Sequence, residues 1–143
     1  MSDRRRSKKI GFTCSSFDLL HAGHIAMLRE SREHCDHLVV GLNVRPVTKQ
    51  IMQSVVERYT QLQAVKWVDE IVPYGTEEEL IDLIHLYRVD IRFIGEDYRD
   101  KPFTGDQLEN IEIFYNRRDH RFSSSGLKAH VKEHYNYSYE NER

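Results

Sequence analysis

Short apolar runs alternate along this chain with stretches whose apolar residues recur at helical spacing. "KIGFTC" (Lys9 to Cys14) and "HLVVGLN" (His37 to Asn43) are continuous enough to predict strands buried on both faces. "DEIVPY", "VDIRFIG" (ending at Gly95) and "IEIFY" (Ile111 to Tyr115) predict three more. Between them, Gly23 to His34 predicts a helix with Ile25, Met27 and Leu28 turned inward. Ser54 to Trp67 predicts a second, with Val55, Tyr59, Leu62 and Val65 inward. Thr76 suits the N-cap of a third helix, through "EEELIDLIHLY", and its glutamates suit the positive end of the helix dipole. Ser123 or a neighbour can cap a last helix through "GLKAHVKEH".

Five strands alternating with helices predict an α/β fold: a parallel sheet with helices on both faces. In such sheets ligands sit beyond the carboxyl ends of the strands, where strand order reverses. With 143 residues there is room for one domain, expected over residues 9–133, between a basic tail (1–8) and a polar tail (134–143).

Composition narrows the function classes. A net charge of −2 gives no bulk attraction for nucleic acid. No apolar run approaches the length of a membrane helix, and "MSDRRRSKK" leads into a short strand rather than a signal-peptide core. Cys14 and Cys35 have no metal or redox spacing, so they read as packing residues and fit a reducing cytoplasm.

The candidate chemistry lies where "SSFDLLHAGHIAML" passes from strand to helix. His21 and His24 flank Gly23 there, at the carboxyl edge of the first strand. A helix start offers unpaired N–H groups to an anion, imidazoles can add donors, and glycine lets a ligand approach the backbone. The alternative is two surface histidines beside a turn glycine. Far downstream, "RRDHRFSSSGLK" sets arginines before three serines and a helix. That is either a second phosphate-binding element or a basic loop with an N-cap. Strands one and five could bring both segments to one cleft.

These segments carry a resemblance. "SFDLLHAGH" resembles the T-F-D-x-x-H-x-G-H signature of the cytidylyltransferase-like nucleotidyltransferases. "RYTQLQAVKWVDEIV" is similar to the family's arginine-to-V-D-E-V segment, "FIGEDY" to its G-D-D-W strand end, and "RRDHRFSSSGLK" to its R-T-x-G-I-S-T-T motif. The likeness runs from about Lys9 to Lys132, and the short length is most like bacterial glycerol-3-phosphate cytidylyltransferase.

The resemblance implies a Rossmann-like three-layer sandwich of the HxGH type around a five-stranded parallel sheet. It implies transfer of CMP from CTP, with Mg²⁺, to a small phosphorylated alcohol, in a homodimer. By it, His21, His24, Lys49 and Arg118 act on the triphosphate. Ser16, Phe17, Gly23, Ser123, Ser124 and Ser125 complete the nucleotide site. Arg58, Arg45 and Asp18 serve the acceptor, and Asp97 is a candidate metal contact.

The chain departs from the pattern in places. Ser15 replaces a glycine, Asp119 a threonine and Arg121 a glycine, and "YGTEEE" lacks the acceptor lysine. Two other readings stand beside the first: an adenylyltransferase using ATP on a flavin, coenzyme A precursor or sugar phosphate, and a nucleotide-binding module without catalysis.

Overall fold

The computed structural model describes residues 7–47 and 50–117. Within them the chain runs β1 (Ile10–Ser15), α1 (Ala22–Arg32), β2 (His37–Asn43), α2 (Val55–Gln63), β3 (Glu70–Tyr74), α3 (Glu77–Leu86), β4 (Ile91–Gly95), a single 3₁₀ turn (Glu96–Tyr98) and β5 (Glu112–Asn116). The expected last helix, with Lys49, Arg118, Arg121 and Ser123 to Ser125, lies outside the described residues.

All five strands are parallel, in the order β3-β2-β1-β4-β5. The chain steps outward from β1 to β3, then crosses back to lay β4 on the other side of β1. Strand order therefore reverses between β1 and β4, which is where such sheets open a crevice.

Alternation across the pleat divides the core in two. On one face Leu38, Val40 and Leu42 of β2 pack with Ile91 and Phe93 of β4 beneath Leu28 of α1 and Leu62 of α2. On the other, Phe12 and Val39 pack with Tyr74 beneath Leu80 and Ile84 of α3. β2 is buried over its five central residues, which explains its unbroken apolar run. The sheet is dense enough that a Cβ on Gly11 would stand 2.6 Å from the Cys35 Sγ and 2.7 Å from the Phe93 ring.

Three aspartates bracket the amino edge. Asp36 accepts from the Lys9 amide, Asp69 from Leu38 and Asp90 from Ile10, each at 2.8 Å. The aspartate leading into one strand thus pairs the first amides of its neighbour. The acidic residue of the "VDE" segment is one of these brackets, and Arg32 also holds it, Nε to Oδ2 at 2.8 Å.

The helix faces differ from the simple periodic reading. On α1, Ile25 is 36% exposed and Ser31 is fully buried beside Leu28. On α2, Val55 and Tyr59 are exposed, and the inward line is Arg58 and Leu62, continued by Val65. α2 also stops at Gln63 rather than at Trp67. The chain turns there, and Trp67 packs partly buried on the core with the Lys66 ammonium 4.8 Å from its ring centroid.

A candidate triphosphate site at the start of α1

β1 delivers its carboxyl end into a tightly constrained loop. Phe17 and Leu19 both have positive φ, 50° and 51°, a left-handed conformation unusual for side chains of their size. Three polar side chains hold the loop there. Between the two, Asp18 is 4% exposed, and its carboxylate accepts from the Met52 and Gln53 amides at 2.9 and 3.0 Å. Gln53 answers with its side-chain oxygen, which takes the Leu19 amide at 2.7 Å. From α2, the Arg58 guanidinium donates to the carbonyls of Ser16 (2.9 Å), Asn43 (2.7 Å) and Gln53 (3.3 Å). The ends of β1 and β2 and the start of α2 are thereby tied together.

Arg58 and Asp18 were expected to serve the acceptor. Arg58 is 2% exposed, with its Nε and Nη1 donating to backbone carbonyls of the loop. Each oxygen of Asp18 accepts a backbone amide. Ser16 and Phe17 are likewise buried, with the Phe17 ring wholly covered. Gln53 and Asn43 have no distinctive spacing in the sequence, and their part in the loop emerges only in three dimensions.

From this loop the chain enters α1 through His21, the N-cap, with extended backbone (φ −137°, ψ 179°). Its Nδ1 accepts the Gly23 amide at 2.9 Å. The Nδ1 of His24 reaches back to accept the His21 amide at 3.2 Å. The two rings stack with centroids 4.0 Å apart, and the Phe17 ring lies 5.5 Å from that of His24. The histidines thus form a capping box, a task usually given to Ser or Thr with Glu. Gly23 is buried between them.

The other two long helices begin differently. Ser54 and Glu57 cap α2, and Thr76 and Glu79 cap α3, so each places a carboxylate in its own first turn. At α3 the Glu79 Oε1 takes both the Gly75 and Thr76 amides, at 2.6 and 3.0 Å, where the resemblance placed an acceptor lysine. α1 has no acidic residue in its first turn. Among the described long helices, it is the one whose positive end carries no carboxylate of its own, and it lies at the reversal of strand order.

The remaining expected residues are spread along the same carboxyl edge. Arg45 is exposed just after β2, its amide bonded to the Asn43 Oδ1, with its side chain along Gly75. Asp97 is exposed in the 3₁₀ turn after β4. Among the described residues no three His, Cys, Asp or Glu side chains gather as a metal site, and no helix is long and apolar enough to cross a membrane.

Two buried polar groups had no signal in the sequence. Asn116, 1% exposed at the end of β5, donates through Nδ2 to the Glu30 carboxylate and the Ser31 hydroxyl, at 3.0 and 3.2 Å. It fastens the exit of β5 to α1. Arg92 of β4 donates to the Thr104 carbonyl, sits 3.9 Å from the Cys14 Sγ and lies over the Phe103 ring. Burial pushes the Cys14 thiol upward against the opposing pull of Arg92, so it stays protonated at neutral pH and serves packing.

Known proteins resemble the chain in sequence and in fold. Residues 12–135 match the family described as Cytidylyltransferase-like. The Bifunctional protein HldE of Paramagnetospirillum magneticum is 35% identical over 111 residues, 73% of this chain and 22% of that protein. The HldE of Campylobacter jejuni subsp. doylei is 31% identical over 137 residues, 91% of this chain and 29% of that protein. The chain therefore spans between a fifth and a third of the length of these curated relatives. They are HldE proteins, not glycerol-3-phosphate cytidylyltransferases. In fold, the chain resembles the lipopolysaccharide core biosynthesis protein from Thermoplasma volcanium (TM-score 0.65, 24% identity, 78% of this chain and 98% of that one). It also resembles the pantoate-beta-alanine ligase from Francisella tularensis (TM-score 0.55, 18% identity, 83% and 62%). A parallel sheet reversing between β1 and β4, a histidine-capped α1 at that reversal, and a match across residues 12–135 converge: the chain belongs to the cytidylyltransferase-like family of nucleotidyltransferases.

Proposed function

We propose that this protein transfers a nucleotidyl group from a nucleoside triphosphate to a phosphorylated acceptor, with ATP as donor and a sugar phosphate as acceptor. The observation that carries the transfer reading is the start of α1. Two imidazoles and a buried glycine replace the carboxylate found at the other helix starts, at the reversal of strand order. The HldE relatives favour the adenylyl choice. The filling of the α3 start by Glu79, where a lysine would meet glycerol phosphate, also weighs against the glycerol assignment. CTP with a small phosphorylated alcohol is the second reading, favoured by the four motif segments and the short chain.

In the reaction, an acceptor phosphate oxygen attacks the α-phosphorus in line. The new P–O bond forms as the bond to the bridging oxygen breaks, and pyrophosphate leaves with that electron pair. The protein's contribution is positioning and stabilisation of charge on the phosphate oxygens. His21 and His24 hydrogen-bond those oxygens beside the α1 amides, and Lys49 and Arg118 add positive charge. Losing one such donor costs about 3 kcal/mol of barrier. Mg²⁺ would be held by the triphosphate itself, with Asp97 after β4 as the candidate carboxylate contact. When bound it neutralises phosphate charge.

A thermal-shift panel of ATP, CTP, GTP and UTP with Mg²⁺ tests the donor. The largest shift is expected with ATP, and a larger one with CTP returns the cytidylyl reading. Pyrophosphate release with hexose and heptose phosphates, glycerol 3-phosphate and phosphocholine tests the acceptor. Turnover with glycerol 3-phosphate alone excludes the sugar assignment. No shift with any nucleotide and no release excludes transfer.

A further inference from the structure

We infer that Arg92 is a positioning residue for the triphosphate site: it bridges the floor of the crevice from β4 to β1 and so sets how far the turn after β4 stands from the start of α1. The ligand half of this inference rests on the triphosphate reading above; the bridge is a feature of the fold. β1 pairs with β2 from Ile10 through Ser15, but its register on β4 ends at Phe12↔Arg92. Beyond that pair the two strands run on to their carboxyl ends with no ladder between them, and the crevice at the reversal of strand order opens there. One wall is the start of α1, reached from β1. The other is the 3₁₀ turn bearing Asp97, reached from β4. Arg92 occupies the last paired position before the two walls separate.

Its side chain crosses beneath the gap on the face covered by α3. The Nη2 lies 3.9 Å from the Cys14 Sγ, near the carboxyl end of β1. The Nη1 donates to the Thr104 carbonyl, in the connection of residues 99–111 that leads from the 3₁₀ turn back to β5. The guanidinium carbon stands 5.1 Å from the Phe103 ring centroid, and Phe103 meets Tyr98 edge-on with centroids 6.5 Å apart. Gly105, at φ 87°, passes so close that a Cβ there would lie 2.8 Å from the Arg92 Nη1. A line of contacts thus runs from β1 through Arg92 and Phe103 to Tyr98, the neighbour of Asp97. Packing alone does not account for a guanidinium in this place. Arg92 is 4% exposed, no carboxylate pairs with it among the described residues, and its Nε has no hydrogen-bond partner. A buried cation in that state lowers stability, and an apolar side chain of similar length fills the space without the charge. Methionine cannot donate to Thr104 while facing Cys14, so stability and positioning separate on substitution.

The full chain is compared with its Arg92→Met and Arg92→Lys variants. Arg92→Met is expected to melt at or above the wild-type temperature. Melting several degrees lower, or loss of the fold, makes the guanidinium a structural group and overturns the inference. Amide hydrogen exchange, read by mass spectrometry, is expected to quicken several-fold over residues 96–105 in Arg92→Met. It should quicken less in Arg92→Lys, which keeps a charged donor. Unchanged exchange over that stretch in Arg92→Met overturns the bridge. Calorimetric affinity for Mg·ATP is expected to fall several-fold in Arg92→Met and to recover in part in Arg92→Lys, with Mg·CTP used instead if it is the nucleotide that stabilises wild type. Wild-type affinity in Arg92→Met alongside quickened exchange overturns the positioning of the site. A wild-type chain that binds none of ATP, CTP, GTP and UTP with Mg²⁺ removes the triphosphate reading, and exchange over residues 96–105 still decides the bridge.

Discussion

Arg58 shows how far a single residue's meaning depends on its surroundings. In the sequence it is an arginine opening a helix, and a phosphate ligand is the natural reading. In the fold it is buried and serves the carbonyls of Ser16, Asn43 and Gln53. A charged donor to neutral acceptors is worth more than an ordinary hydrogen bond, and its loss strands buried carbonyls. Arg58→Ala is therefore expected to lower unfolding free energy by roughly 3 kcal/mol in urea titration. Arg58→Lys should recover only part of it, since one ammonium cannot reproduce the planar fork. Wild-type stability with a raised acceptor KM would return Arg58 to the acceptor site. Asp18 is read in the same way, as a carboxylate that accepts the Met52 and Gln53 amides and so ties the loop to the start of α2.

At the scale of elements, caps decide what each helix start can do. α2 and α3 satisfy their first amides with their own glutamates, whereas α1 uses imidazoles. The opposite edge of the sheet carries electrostatics unrelated to the site. His37 at the start of β2 lies 2.9 Å from the Glu70 carboxylate at the start of β3, and Tyr87 also hydrogen-bonds that carboxylate. The His37 bond, with Tyr87 second, holds Glu70 below its ordinary value. A carboxyl with a lowered folded-state pKa stabilises the fold above its unfolded value, about 4.3, and that stability is lost as pH falls through the folded-state value. Melting temperature measured from about pH 6 to pH 3 should therefore fall less steeply for Glu70→Gln than for wild type. Identical slopes would show that the pair makes no contribution.

Over the whole molecule, Asn116 joins the far end of the sheet to the helix that carries the histidines. It fastens the end of β5 to Glu30 and Ser31 of α1, and the adjoining Arg117 amide also bonds Glu30, at 3.1 Å. Arg118 follows this joint directly in the sequence. Asn116→Ala is expected to cost about 2 kcal/mol, through unpaired buried groups, and to weaken Mg·ATP binding as well. Arg118→Ala should weaken binding without the loss of stability. Arg117→Ala should do less, because the Arg117 Nε already faces Glu30 at 3.6 Å on an exposed surface. Calorimetric titration of the three variants separates these outcomes, and equal binding by Arg118→Ala and wild type would remove Arg118 from the site.

Strand identity and order of elements were legible in the chain, because a strand buried on both faces must be continuously apolar and because Ser54 and Thr76 announce their helices locally. The H-x-G-H turn was equally legible, since a helix start, a glycine and two histidines within four residues constitute a local feature. The inward faces of α1 and α2 were not. Spacing placed Leu28, Leu62 and Val65 inward correctly but also favoured Ile25, Val55 and Tyr59, whereas the loop after β1 takes donors from Arg58 and packing turns Ser31 toward the sheet. Nor could the sequence separate Arg58 and Asp18 as braces from Arg58 and Asp18 as ligands. Residue type and motif position are the same in both cases. What differs is whether a backbone carbonyl or amide lies within 3 Å, and only the juxtaposition of β1, β2 and α2 brings those groups there.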